Sequence, residues 1–195
     1  MNFENFFAEK SEVPSSLALL AREMPDRCLI VVELDRPIVL TQETRLELPQ
    51  MSPETRERLE LLGVPKEVLD AIGSEAEAKI YENANLEPAE VNGKDALIRT
   101  DIDYDQKDAM GTTNLDRIKS GRAPLDANGK PIELHHIGQK QDSPLAELTS
   151  AEHRGNGNDN VLHNKQKESE INREDFDKER KDYWKARAEQ IENQR

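Results

Sequence analysis

Glu133-Leu134-His135-His136-Ile137-Gly138-Gln139 is the stretch on which the reading of this chain turns. Pro131 to Ile137 has the character of a strand. Its period of two sets Ile132, Leu134 and His136 on one face and Glu133 and His135 on the other. All four histidines of the 195-residue chain, His135, His136, His153 and His163, lie within this stretch and the 26 residues after it. Imidazole titrates nearest neutrality and is the commonest metal ligand, so their clustering marks a site.

Working outward, Asn128-Gly129 is a turn signal leading into the strand. Gly138 to Ser143 is a polar loop, and Pro144 to Leu148 reads as a second strand. Thr149 through Glu152 fits a capping box, which sets His153 in the first turn of a helix. Gly155-Asn156-Gly157-Asn158 breaks that helix, and Val161-Leu162-His163 follows. The chain then runs into a long charged helix over 172–193, with Phe176, Tyr183, Trp184, Ala188 and Ile191 as its sparse apolar positions. The order is strand, loop, strand, short helix.

Upstream, Ser52-Pro53 gives an N-cap and a proline at the first helical position, and Gly63 ends that helix. Pro65 to Ile72 is a second short helix. Ser74 begins a third, with Glu77 placed for a capping box and an end near Asn83. Together they read as a helical scaffold. Asn92-Gly93 is a turn and serves as the division between an acidic first region, 1–92, and a second region, 93–195, although strand pairing can run across it. Ala96 to Arg99 is a short strand, and Thr113 to Ser120 is helical. The acidic run Asp101, Asp103, Asp105, Asp108 fails as an EF-hand, because its sixth and twelfth positions hold Gln106 and Thr112. In the first region, 15–21 reads as helix, and Cys28–Leu34 and 37–40 as strands.

The single Cys28 excludes an internal disulfide and a cysteine-based zinc module, and reads as a small buried hydrophobe. No apolar run reaches the roughly 20 residues that span a bilayer. The first ten residues lack a signal peptide's pattern. The expectation is a protein without membrane association, cytoplasmic or exported by a specialised secretion system. The net charge of −13 argues against nucleic acid as a partner until its distribution is considered. Residues 1–92 hold 9 Lys and Arg against 19 Asp and Glu, whereas 93–195 hold 18 against 21. The second region is close to balance and can carry a basic face.

With Glu133 to Gln139, Ser143 to Thr149, Glu152-His153-Arg154-Gly155 and Leu162-His163 in this order, the chain resembles the HNH/endonuclease VII superfamily, the ββα-metal nucleases. Within it the chain is most similar to the LHH family, found as C-terminal modules of bacterial polymorphic toxins. The resemblance is strongest over 96–184. It implies an α+β protein: an HNH-like ββα-metal core with added helices, preceded by a small mixed α/β region. It also implies a metal-dependent endonuclease acting on DNA, delivered into the target-cell cytoplasm and neutralised by a cognate immunity protein. An RNase with the same site, or a non-catalytic module with a structural zinc, are the alternatives.

Neighbouring strand residues face opposite ways, so His135 and His136 cannot both hold one ion. By resemblance His135 binds the metal and His136 is the general base. His153 and His163 complete a three-imidazole set. Such a set suits zinc, nickel, cobalt or manganese and leaves a position open for phosphate; magnesium completes the candidates for the one divalent ion. The superfamily orients its base with a backbone carbonyl or an Asn, whose place Asp142 or Ser143 holds here. Arg154 is the candidate phosphate grip, since a guanidinium fork matches phosphate geometry. Arg99, Arg117, Arg122 and Lys140 are weaker candidates. Glu133 and Glu147 could approach the site, but strand-edge solubility accounts for them.

Overall fold

Ser52 starts the first described helix as its chemistry requires: its hydroxyl takes the Thr55 N–H, and Pro53 sits where a missing N–H costs nothing. The structure, a computed structural model, describes residues 48–165 and 167–194. The expected helix at 15–21, the strands at 28–34 and 37–40 and the burial of Cys28 lie outside them.

Helix α1 spans Pro53–Leu61, α2 Lys66–Ala71 and α3 Glu75–Asn83. Ser74 caps α3 through the Glu77 N–H. The Glu77 carboxylate receives the Gly73 N–H and the Tyr81 hydroxyl, at 2.8 Å each. Strands β1 (Glu87–Val91) and β2 (Lys94–Ile98) pair antiparallel around Asn92-Gly93, so strand pairing runs across that turn. Strand β1 has no counterpart in the sequence reading; Pro88 and its alternating glutamates disguise it.

After α4 (Asn114–Lys119), strand β3 (Glu133–His136) leads through a 3₁₀ turn to β4 (Leu145–Leu148). The sheet order is β1-β2-β4-β3, with β2 and β4 parallel and β3 and β4 antiparallel. At Gly138, φ is +78°, and a Cβ there would stand 2.8 Å from the Ala71 carbonyl oxygen. Only glycine lets the turn after the histidines close against the end of α2. Helix α5 (Ser150–Arg154), a second 3₁₀ turn, α6 (Asn158–Leu162) and the 22-residue α7 (Arg173–Gln194) complete the order. Among the described residues no helix is long and apolar enough to cross a membrane.

This is the α+β architecture expected, with the ββα unit formed by β3, β4 and α5. Period two divides the sheet's residues between two cores. Leu97, Ala146 and Leu148 pack with α1 to α3 and α6, through Leu59, Val68, Leu69, Tyr81 and Leu162. Ala96, Leu134 and Leu145 pack with α7, through Tyr183, Trp184, Ala188 and Ile191. Both faces are covered, and every residue of β4 is buried. That overturns the reading of Glu147 as a strand-edge charge. It is 0% exposed. It accepts the Arg99 N–H at 2.8 Å, the Tyr183 hydroxyl at 2.8 Å and the Arg187 Nε–H at 2.9 Å. Its carboxylate therefore ties two strands to α7.

Candidate active site

The alternation along β3 separates the two adjacent histidines. His135 points with Glu133 toward α5. His136 points the other way, into α7. The Thr149–Glu152 capping box is present in full and fixes the start of α5, which brings His153 over β3. The breaker 155–158 does end α5. It also starts α6, capped at its end by His163, a helix that the glycines concealed.

Three imidazoles meet as a result. His153 Nε2 lies 3.2 Å from His135 Nδ1 and 3.2 Å from His163 Nε2. Ring centroids are 4.8–5.1 Å apart. Potential ligand atoms of the three side chains all lie within 4.8 Å of one another. Four-coordinate tetrahedral geometry with metal–nitrogen bonds of about 2.0–2.1 Å separates ligand nitrogens by roughly 3.3 Å.

The protons decide whether this cluster suits a cation. His153 Nδ1 is 2.5 Å from Glu133 Oε2. Burial works against ionising Glu133, but its bonds to His153 and Arg154 hold its pKa below the usual glutamate value. An ionised Glu133 requires His153 to donate from Nδ1, which in a neutral ring leaves Nε2 an acceptor. His163 Nδ1 faces Asp159 Oδ1 at 2.9 Å. Asp159 is likewise held low, first by Lys165. In a neutral His163 ring Nε2 is then also an acceptor, and two acceptors face each other at 3.2 Å. They repel unless a proton or a cation lies between them. His135 adds a buried Nε2 with no hydrogen-bond partner among the described residues. Imidazoles with their far N–H groups on carboxylates are the usual second layer of a metal centre. The residues fit a divalent ion.

Two of the three imidazoles resist protonation. Burial, then the other imidazoles, pushes His135 well below its ordinary 6.5. Burial also lowers His153, against the upward pull of Glu133. The sign for stability follows from linkage. Where the folded pKa is depressed, the unfolded chain binds more protons on acidification, so folding loses free energy as pH falls below the unfolded value. Metal-free protein is expected to keep its melting temperature above pH 7 and to lose it progressively from about 6.5 downward. A thermal melt series from pH 8 to 5, with and without zinc, checks this.

His136, the base that the resemblance implies, is closed to bulk solvent. It is 1% exposed. Its Nε2 lies 2.9 Å from Glu179 Oε2, and its ring lies 4.5 Å from that of Phe176. Neither Asp142 nor Ser143 is among its hydrogen-bond partners; the Ser143 hydroxyl donates to the Lys140 carbonyl. Arg154, the candidate phosphate grip, donates from Nε to Glu133 at 3.0 Å and keeps 65% of its side chain exposed. Arg99 is 8% exposed, and its guanidinium is spent on Asp101 and Glu152. Arg117 is held by Asp108 and the Ala123 carbonyl. Burial and pairing make these two structural. Arg122 donates to the Ser120 hydroxyl.

A cavity of about 540 Å³ joins the parts, lined by all four histidines, Glu133, Arg154, Phe176, Arg180 and Lys181 among others. Its wall on α7 was invisible in the sequence. So were the roles of Glu133, Asp159 and Glu179. Glu133 shares the period-two face of His135, a signal that was available. Asp159 stands four residues before His163, a relation that appears only once α6 is known. Glu179 lies 43 residues from His136, and no local pattern connects them.

Residues 113–190 match the model of the family described as LHH, a nuclease of the HNH/ENDO VII superfamily with conserved LHH. No solved structure matches the chain.

Proposed function

From the match of residues 113–190 to the LHH model of the HNH/endonuclease VII superfamily, we propose that this protein is a metal-dependent endonuclease acting on DNA. The observation that carries metal dependence is the confrontation of His153 Nε2 and His163 Nε2 at 3.2 Å beside His135. In this reading His135, His153 and His163 hold one divalent ion. An ion held by these three imidazoles would supply Lewis-acid chemistry at the scissile phosphate. Zinc, nickel, cobalt, manganese and magnesium are the candidates.

His136 serves as general base. Its Nδ1 is buried and has no hydrogen-bond partner among the described residues, so it can accept a proton from water that enters from the cavity. Substrate has to bring or admit that water, since the ring is closed to bulk solvent. Arg154 and Arg180 give the cavity two cations for backbone phosphates. To do so Arg154 must exchange Glu133, and Arg180 must exchange Asp177, for phosphate. The acidic first region stays outside this role. A toxin activity in the cytoplasm of a target cell, with a cognate immunity protein to silence it, extends the same reading.

The test is incubation of the full chain with supercoiled plasmid, linear duplex and RNA, each with one of the five metals or with chelator. Metal-restored plasmid nicking or linearisation is expected. Cleavage of RNA alone would make it an RNase. Loss of folding on chelation, with no cutting of any substrate, would instead favour a structural zinc.

A further inference from the structure

Glu179 stands on the second turn of α7, and its carboxylate is shared between His136 and Lys94. Lys94 also donates to the Gln141 carbonyl at 3.1 Å, so the ammonium group joins β2, the loop before β4 and α7. The carboxylate is thereby fixed from behind. Phe176, one helical turn earlier, closes over the imidazole at 4.5 Å between centroids. These contacts leave the His136 ring a single orientation.

The proton on that ring is fixed too. Burial opposes ionisation of Glu179, but the bonds from His136 and Lys94 bring its pKa below the ordinary glutamate value. A carboxylate can only accept, so His136 Nε2 must be the protonated nitrogen. In a neutral ring Nδ1 is then the lone pair. It is the atom that the structure leaves buried without a hydrogen-bond partner among the described residues. The same ring borders the cavity that holds His135, His153 and His163.

We propose that Glu179 is the positioning residue of the site: it holds His136 in the Nε2–H tautomer and so directs the Nδ1 lone pair to the attacking water. This rests on the reading of His136 as the base. The logic is that of a carboxylate that orients a catalytic imidazole without itself exchanging protons, where replacing the carboxylate by its amide costs orders of magnitude by selecting the wrong tautomer. Here the carboxylate arrives from a helix outside the ββα unit. An amide at 179 can turn its NH₂ toward the ring, become a donor to Nε2 and force the proton onto Nδ1.

The experiment uses the full chain. Long-range ¹H–¹⁵N spectra of the zinc-loaded protein report the tautomer of each of its four histidines. His136 is assigned by its disappearance in His136→Ala. The wild type is expected to show His136 protonated at Nε2, and Glu179→Gln to lose that state. Plasmid cleavage by Glu179→Gln is expected to fall roughly 10²-fold or more in kcat, at unchanged KM and with zinc binding retained. Glu179→Asp should recover part of the rate, and the double variant His136→Ala/Glu179→Gln should be no slower than His136→Ala alone.

An Nδ1–H tautomer in the wild type overturns the assignment, whether or not the variants fold. Near-normal cleavage by Glu179→Gln with His136→Ala inactive removes the positioning role and leaves His136 as base. Full activity in His136→Ala removes the base, and the positioning role with it.

Discussion

Replacing His136 by alanine is expected to lower plasmid cleavage by roughly 10²–10⁴-fold while leaving the fold and metal binding in place. The division of labour along β3 is the reason. His136 shares no hydrogen bond with the imidazole cluster; its hydrogen-bond partner is Glu179. Its removal takes away a proton acceptor and no ligand. The cost in packing is real, because the ring fills a slot against Phe176, so melting temperature should drop somewhat. The comparison that gives the result meaning is His135→Ala, one residue away and on the other face. That variant should lose the metal-induced rise in melting temperature together with its activity. In wild-type protein this rise corresponds to about 2.7 kcal/mol at a metal concentration a hundred times Kd. If His136→Ala also failed to bind zinc, the two histidines would not have separate roles.

Glu147→Ala carries the largest expected effect on stability, a loss of about 3–5 kcal/mol, enough to unfold many domains. Glu147 sits at the centre of the sheet, on the strand flanked by both β2 and β3. Its removal strands the Arg187 guanidinium, itself 4% exposed, and leaves the Tyr183 hydroxyl without its acceptor. A buried cation without its counter-ion costs far more than the pair contributes net, so Glu147→Ala should be worse than the double variant Glu147→Leu/Arg187→Met. Urea unfolding of the three proteins measures this. The network also seats α7, so Glu147→Ala that still folds should loosen the wall carrying Phe176 and Glu179. Equal midpoints for wild type and Glu147→Ala would show the network to be energetically idle.

Much of the site could be read in the chain itself. Period two along 131–137 separates His135 from His136 whatever the tertiary context, because adjacent Cβ atoms on a strand point oppositely. The Thr149–Glu152 box places His153 at a helix start, since it satisfies backbone groups within four residues. Local punctuation was equally dependable for α1, α2, α4 and α7. It failed where signals conflict. Pro88 and its glutamates masked β1, and two glycines masked α6. Charge was misread for a related reason: a glutamate is assigned to solvent by default, and only a count of the strands on either side shows Glu147 to be interior.

Local sequence sufficed for the ββα order, the set of four imidazoles and the separation of His135 from His136. These rest on interactions within a few residues, whose geometry the backbone dictates. Tertiary structure alone decided which carboxylates stand behind those imidazoles and which helix shuts over His136. Glu133 reaches His153 across 20 positions, and Glu179 reaches His136 across 43. Such pairings are chosen by how the sheet's two faces are packed, which no local pattern records.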